Sequence, residues 1–137
     1  MARSPFLARV LAATNAHDVE RIVDCFTPDY VNETPCHPER GFLGNEQVRR
    51  NWTGILTAVP DLVASLVREA VVGGEVWSEW EMSGTRRDGS RHLMRGVMIF
   101  RVEDDQAGSC RFYMEPVVDD HITADGFVAS LTSGGEP

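Results

Sequence analysis

Apolar residues recur at helical spacing through the first part of the chain and alternate with polar ones after Asp61. Leu7, Val10, Leu11 and Thr14 share one helical face, and Ser4-Pro5 ahead of them joins a capping residue to the residue tolerated at the first helical position. Val19, Ile22, Val23 and Phe26 fall at i, i+3, i+4 and i+7 and predict a second short helix, ended by Pro28. "DYVNETP" reads as a short extended piece stopped by Pro35. A third helix, capped by Asn45 and ended by Pro60, sets Val48, Trp52, Ile55, Leu56 and Val59 on one side.

From Leu62 the period changes to two. "LVASLVREAVV" turns at Gly73-Gly74 into "EVWSEWEMSG", and Asp88-Gly89 turns the chain into "RHLMRGVMIFRV". "EDDQAGS" is a further turn before the last long strand, "CRFYMEPVV". Three helices followed by hairpin-connected strands predict an α+β domain over residues 1–131, with an antiparallel sheet covered by helices on one face. A strongly curved sheet wrapped on helices leaves a cone whose mouth is a natural pocket for a small molecule. "HITADGFVASL" is expected to pack as a short arm, and residues 132–137 to form a disordered tail.

Composition narrows the partners. The 137 residues carry a net charge of −8, and that balance repels phosphate backbones, so nucleic-acid binding is disfavoured. Cys25, Cys36 and Cys110 form neither a metal-like pair nor an even framework, which fits a reducing cytoplasm. Arg9 interrupts the N-terminal apolar run, which reads as an amphipathic helix rather than a signal peptide. No apolar run approaches the roughly 20 residues of a membrane helix. A soluble, cytoplasmic protein without membrane contact is the expectation.

The segments "NAHDVERIVDCFTPDYV", "GNEQVRRNWTGILTAVPDL", "WEMSGTRRDG" and "RGVMIFRVEDD" occur in an order that resembles the nuclear-transport-factor-2-like superfamily, in its SnoaL-like branch. The likeness runs from about residue 6 to residue 119. It implies an α+β cone, often dimeric through the outer sheet face, with a cofactor-free pocket of the kind used by polyketide cyclases, ketosteroid isomerases and epoxide hydrolases. The acid or histidine that cyclases and isomerases place in a "G-V-x-x-F-R" strand falls here on Met98, and the cyclase aspartate of the last strand on Pro116. The isomerase base falls on Thr34 and its first-helix tyrosine near Val10. None of these transfers protons readily at neutral pH. The water-holding tyrosine and asparagine of the epoxide hydrolases are matched by Tyr30 and Asn32, but the carboxylate and arginine positions are Trp80, Met82 and Pro116.

Fold does not give function, so the candidate residues are weighed singly. Alternation puts Ser78, Trp80 and Met82, then His92, Met94, Gly96, Met98 and Phe100, then Phe112, Met114 and Pro116 on the more apolar face, toward the helices and the pocket. Glu115 has two readings. By strict alternation it points outward, with Arg95 as ion-pair partner; a bulge imposed by Pro116 would turn it inward as a buried acid/base. His92, on the apolar face near a turn, is either a satisfied histidine or a general base. Tyr30 and Asn32 are candidates to orient a substrate oxygen or water, and Trp52, Trp80, Met98 and Met114 to contact the ligand. His37 reads as a solvated loop residue. The histidines lack a spaced ligand set, so no metal site is expected.

The leading expectation is a SnoaL-like cyclase or isomerase acting without cofactor on a hydrophobic polyketide- or terpenoid-like substrate, with Glu115 or His92 moving the proton. A non-catalytic binding protein of the same fold is the alternative, and an epoxide hydrolase like limonene epoxide hydrolase comes third. Val97 and Ile99, ringed by Glu79, Glu81 and Arg95 on the outer face, predict a homodimer interface.

Overall fold

The computed structural model describes residues 4–133. Helix α1 (Pro5–Asn15) starts where the cap pattern predicts, with the Ser4 hydroxyl accepting the Leu7 N–H at 3.3 Å. Helix α2 (Val19–Val23) is capped by Asp18 and is shorter than the spacing suggests. Phe26 opens strand β1 (Phe26–Glu33) instead of closing the helix, and Pro28 lies inside that strand. Pro28 is tolerated there because β1 leaves its neighbour between Phe26 and Val31, where the register shifts and no ladder N–H is needed. A 3-10 turn (Pro38–Arg40) and the two-residue strand β2 (Phe42–Leu43) lead into α3 (Asn45–Ala58). Gly44, at φ 89°, stands at the cap in place of Asn45, whose side chain donates to the Phe26 carbonyl at 3.3 Å.

Strands β3 (Val63–Val72), β4 (Glu75–Thr85), β5 (Arg91–Glu103) and β6 (Gln106–Pro116) follow as three successive hairpins. β6 begins earlier than the sequence pattern suggests, because Asp104 and Asp105 both take positive φ and make the turn alone. The sheet order is β2-β1-β6-β5-β4-β3, and it is curved and unclosed. One pairing departs from the antiparallel expectation. β1 runs parallel to β6, since the chain between them crosses back through α3 and three hairpins rather than one turn. Register shifts at Val67 and beyond Arg101 mark bulges, which increase the bend of a sheet.

The core lies between α1–α3 and the inner sheet face. Phe6 packs edge-on against Phe100 at 5.0 Å, and Phe26 against Tyr30 at 4.8 Å. Trp80 is fully buried, its indole N–H donated to the Ser78 hydroxyl at 2.8 Å. Burying side chains of this size contributes about 1.5–3 kcal/mol each.

The segment after Asp120 differs from the expected packed arm. It forms α4 (Ala124–Thr132), capped by Thr123, and Phe127, Val128 and Leu131 remain about half exposed. Local capping makes this helix, while α1, α2 and α3 already cover the inner face. Thr132 ends α4 rather than beginning a tail; residues 134–137 of the expected tail lie outside the described residues.

Candidate functional site

A cavity of about 350 Å³ opens between the helices and the inner sheet face, within the range of small-molecule sites. Val10 and Thr14 reach it from α1, Ile22 from α2, and Val48, Trp52 and Ile55 from α3. The sheet contributes Met82, Met94, Met98, Phe100, Phe112 and Met114. These positions follow from period: alternate residues of β4, β5 and β6 share one face, and residues three or four apart on α3 share one stripe. The methionines are flexible and polarizable, so the wall adapts to ligand shape.

A polar ladder runs along β1 into this apolar room. The Tyr30 hydroxyl donates to Asn32 Oδ1 at 2.9 Å, and Asn32 Nδ2 donates to Thr34 Oγ1 at 3.2 Å. All three residues are buried and line the cavity. The i, i+2, i+4 spacing of a strand is what aligns them on one side. Burial holds the Tyr30 hydroxyl well above its ordinary pKa, with the neighbouring Cys110 thiol adding to the effect, so Tyr30 stays a neutral donor. Burial likewise pushes the Cys110 thiol up to about 12, leaving it an inert protonated group. The Thr34 hydroxyl, an acceptor from Asn32, keeps its own proton for a ligand.

Apart from Thr14, whose hydroxyl donates to the Val10 carbonyl at 2.7 Å, the remaining polar lining is His92, Asn51 and Arg40. Burial, and then the nearby Arg86 guanidinium, hold the His92 imidazole below its ordinary value of 6.5, so it is neutral at pH 7. Asn51 accepts from Gln47 at 2.7 Å, which leaves its amide N–H groups unpaired among the described residues. The Trp52 indole N–H and the Arg40 guanidinium also have no partner among the described residues. Among the described residues no Asp or Glu lines the cavity. The chain has no lysine, all 13 basic residues being arginine, so no lysine imine can form with a substrate. Among the described residues no group of three His, Cys, Asp or Glu side chains is placed to hold a metal ion.

Six of the residues singled out in the sequence, Tyr30, Asn32, Trp52, His92, Met98 and Met114, are brought together in the lining. Two are not. Trp80 lies beneath the surface of the pocket as core, because its ring is enclosed on all sides and its N–H is satisfied by Ser78. Glu115 stays on the outer face, as strict alternation has it. Pro116 causes no register shift, for Glu115 still pairs with Arg95 and Pro116 with Met94 in the ladder. The ion-pair partner differs from the expected one, however. Arg95 bonds Glu81 at 2.8 Å, and Glu115 is met by His37 Nε2 at 3.0 Å, so His37 is paired rather than simply solvated.

Arg40, Asn51 and Phe42 are lining residues that the pattern reading passed over. Asn51 sits three residues after Val48 on the helical stripe and was readable in principle. Arg40 and Phe42 come from an irregular loop, where no period applies.

A family model described as a SnoaL-like domain matches residues 7–107. The chain belongs to the SnoaL-like family. No curated protein matches this SnoaL-like chain. Its fold recurs in solved structures of low identity. A hypothetical protein of ketosteroid isomerase-like fold from Catenulispora acidiphila, solved with trimethylamine, superposes with a TM-score of 0.72 at 12% identity, covering 82% of this chain and 87% of that one. IdmH of Streptomyces antibioticus, a candidate polyketide cyclase, gives 0.69 at 18% identity, covering 93% and 96%. A candidate polyketide cyclase from Sinorhizobium meliloti gives 0.64 at 19% identity, covering 82% and 95%. Likenesses at these identities establish the fold alone.

Proposed function

We propose that this SnoaL-like protein is a cofactor-independent cyclase or isomerase of a hydrophobic, polyketide- or terpenoid-like small molecule. The observation that supports it most is a neutral histidine sharing one apolar cavity with a ladder of buried donors. In this reading His92 removes a proton from carbon next to a substrate carbonyl. The C–H electron pair moves to the carbonyl oxygen, and donors such as the Thr34 hydroxyl stabilise the resulting enolate. For isomerisation the imidazolium returns the proton to a different carbon. For cyclisation the enolate carbon attacks a second carbonyl of the same molecule, forming the C–C bond, and the proton passes to the new alkoxide. Neutral Tyr30 supports the ladder by holding Asn32 in place.

A second reading, a binding protein without chemistry, is favoured by one specific feature. The acid positions of related enzymes are held by Met98 and Pro116, and no carboxylate among the described residues lines the cavity. The same feature weighs against epoxide hydrolysis, which needs a carboxylate base opposite the Tyr30–Asn32 pair. The Glu115 position does not supply one.

Trp52 lies in the cavity wall, so ligand entry is expected to change the protein's tryptophan fluorescence. Titration with polycyclic ketones, flat phenolics and terpenoid epoxides, each followed for conversion, separates the readings. Turnover that falls roughly 10²–10⁴-fold in His92→Gln, with binding kept within a few-fold, supports the enzyme. Tight binding without conversion in the wild type returns the binding protein.

A further inference from the structure

We propose that the natural ligand is an acidic molecule: an apolar aromatic or polycyclic body bearing one carboxylate, with that carboxylate read by Arg40 at the mouth of the cavity. This inference rests on the cavity being a small-molecule site, and it names what that site selects.

The protein carries a net charge of −8, and five of its 13 arginines, Arg49, Arg68, Arg95, Arg101 and Arg111, each hold a carboxylate. Arg40 holds none among the described residues, and it is a wall of the cavity. Among the described residues that wall holds no Asp or Glu, and with His92 neutral Arg40 is the one permanent charge they present there. The other unpaired groups there are the Trp52 indole N–H, the Asn51 amide and the Thr34 O–H, all donors, and the neutral His92 imidazole, which offers one donor and one acceptor nitrogen. A lining of apolar carbon, a majority of spare donors and one cation, with the His92 nitrogen as its unpaired acceptor, is complementary to a ligand rich in acceptor oxygens and bearing one negative charge.

Arg40 is also held in place. The His37 N–H donates to the Thr34 carbonyl at 2.8 Å and the Arg40 N–H to the His37 carbonyl at 2.9 Å. Gly41 packs so closely on β1 that a Cβ there would stand 3.0 Å from the Asn32 carbonyl oxygen. The His37 ring is tied to Glu115 at 3.0 Å. The loop is therefore clamped beside the polar ladder. Arg40 is the exposed member of the lining and so marks where the cavity meets water. That placement is favourable physically: the apolar body is buried while the carboxylate keeps part of its hydration, avoiding the heavy cost of a fully buried ion. A planar guanidinium suits this role because it meets both carboxylate oxygens at once.

The test compares biphenyl-4-carboxylic acid, ionised at pH 7.5, with its methyl ester and its primary amide, by calorimetry on the full chain. We expect the acid to bind on the order of tenfold more tightly than either neutral analogue, as a charge-assisted contact gives. Arg40→Gln should erase that preference, bringing the acid to the affinity of its ester; Arg40→Lys should keep part of it. Raising the salt should narrow it, because the contact is at a solvated mouth. Equal affinities in the wild type, or a preference that survives Arg40→Gln, would overturn the acid inference and leave the cavity a neutral-ligand site. Failure of all three probes to bind at millimolar concentration would overturn the small-molecule reading, and the acid inference with it.

Discussion

His37 and Glu115 are 78 residues apart in sequence, yet the imidazole Nε2 and the carboxylate meet at 3.0 Å on the outside of the domain. The pair ties the loop that presents Arg40 to the end of β6. It is half exposed, so its worth lies in where it holds the loop and not in global stability.

Glu115→Gln and His37→Ala should each cost below about 1 kcal/mol in chemical denaturation, the usual scale of an exposed pair. Turnover or ligand binding should persist in both, with the preference for an acid over its ester reduced. Loss of all binding in Glu115→Gln would mean that the carboxylate works inside the cavity after all.

His92 should titrate below 6.5 when its ring protons are followed by NMR, since burial and then Arg86 disfavour the charged form. Arg86→Gln should raise the value part of the way. Between the folded and unfolded values the unfolded chain binds more protons, so the folded state loses stability as pH falls below about 6.5 and regains it on the way up. A ligand carboxylate near the ring would move the titration upward.

Of the three free cysteines, Cys36 is exposed while Cys25 and Cys110 are buried. A thiol reagent at pH 8 should modify one group in the native protein and three after unfolding, because burial raises the pKa of both Cys25 and Cys110. Rapid native labelling of Cys110 would reveal frequent opening between β6 and β1.

The outer sheet face leads to a proposed homodimer. Trp77, 44% exposed, lies opposite Ile99, and Val97 lies between Glu79 and Tyr113 in the ladder. Sedimentation at micromolar concentration should return a dimer, and Ile99→Arg should shift it to monomer by placing an unpaired charge in the contact. A monomeric wild type would remove the proposal.

Local rules made much of this legible. Ser4-Pro5, the 3.6 period of Val48, Trp52 and Ile55, and the alternation through Trp80, Met98 and Met114 are short-range properties, and each reappears in the fold. Of the two readings left open for Glu115, the outward one is that of strict alternation, and it holds because Pro116 at the end of its strand disturbs no register.

What pattern could not supply is contact between segments distant in sequence. The parallel seam of β1 and β6 depends on how α3 crosses the sheet. His37 finds Glu115, and Arg40 the cavity mouth, only once that seam and the clamped loop bring them together. Side-chain period is set by the backbone one residue at a time, and so is written in the sequence. A partner across the fold is set by the summed packing of all the elements between, and no local pattern encodes it.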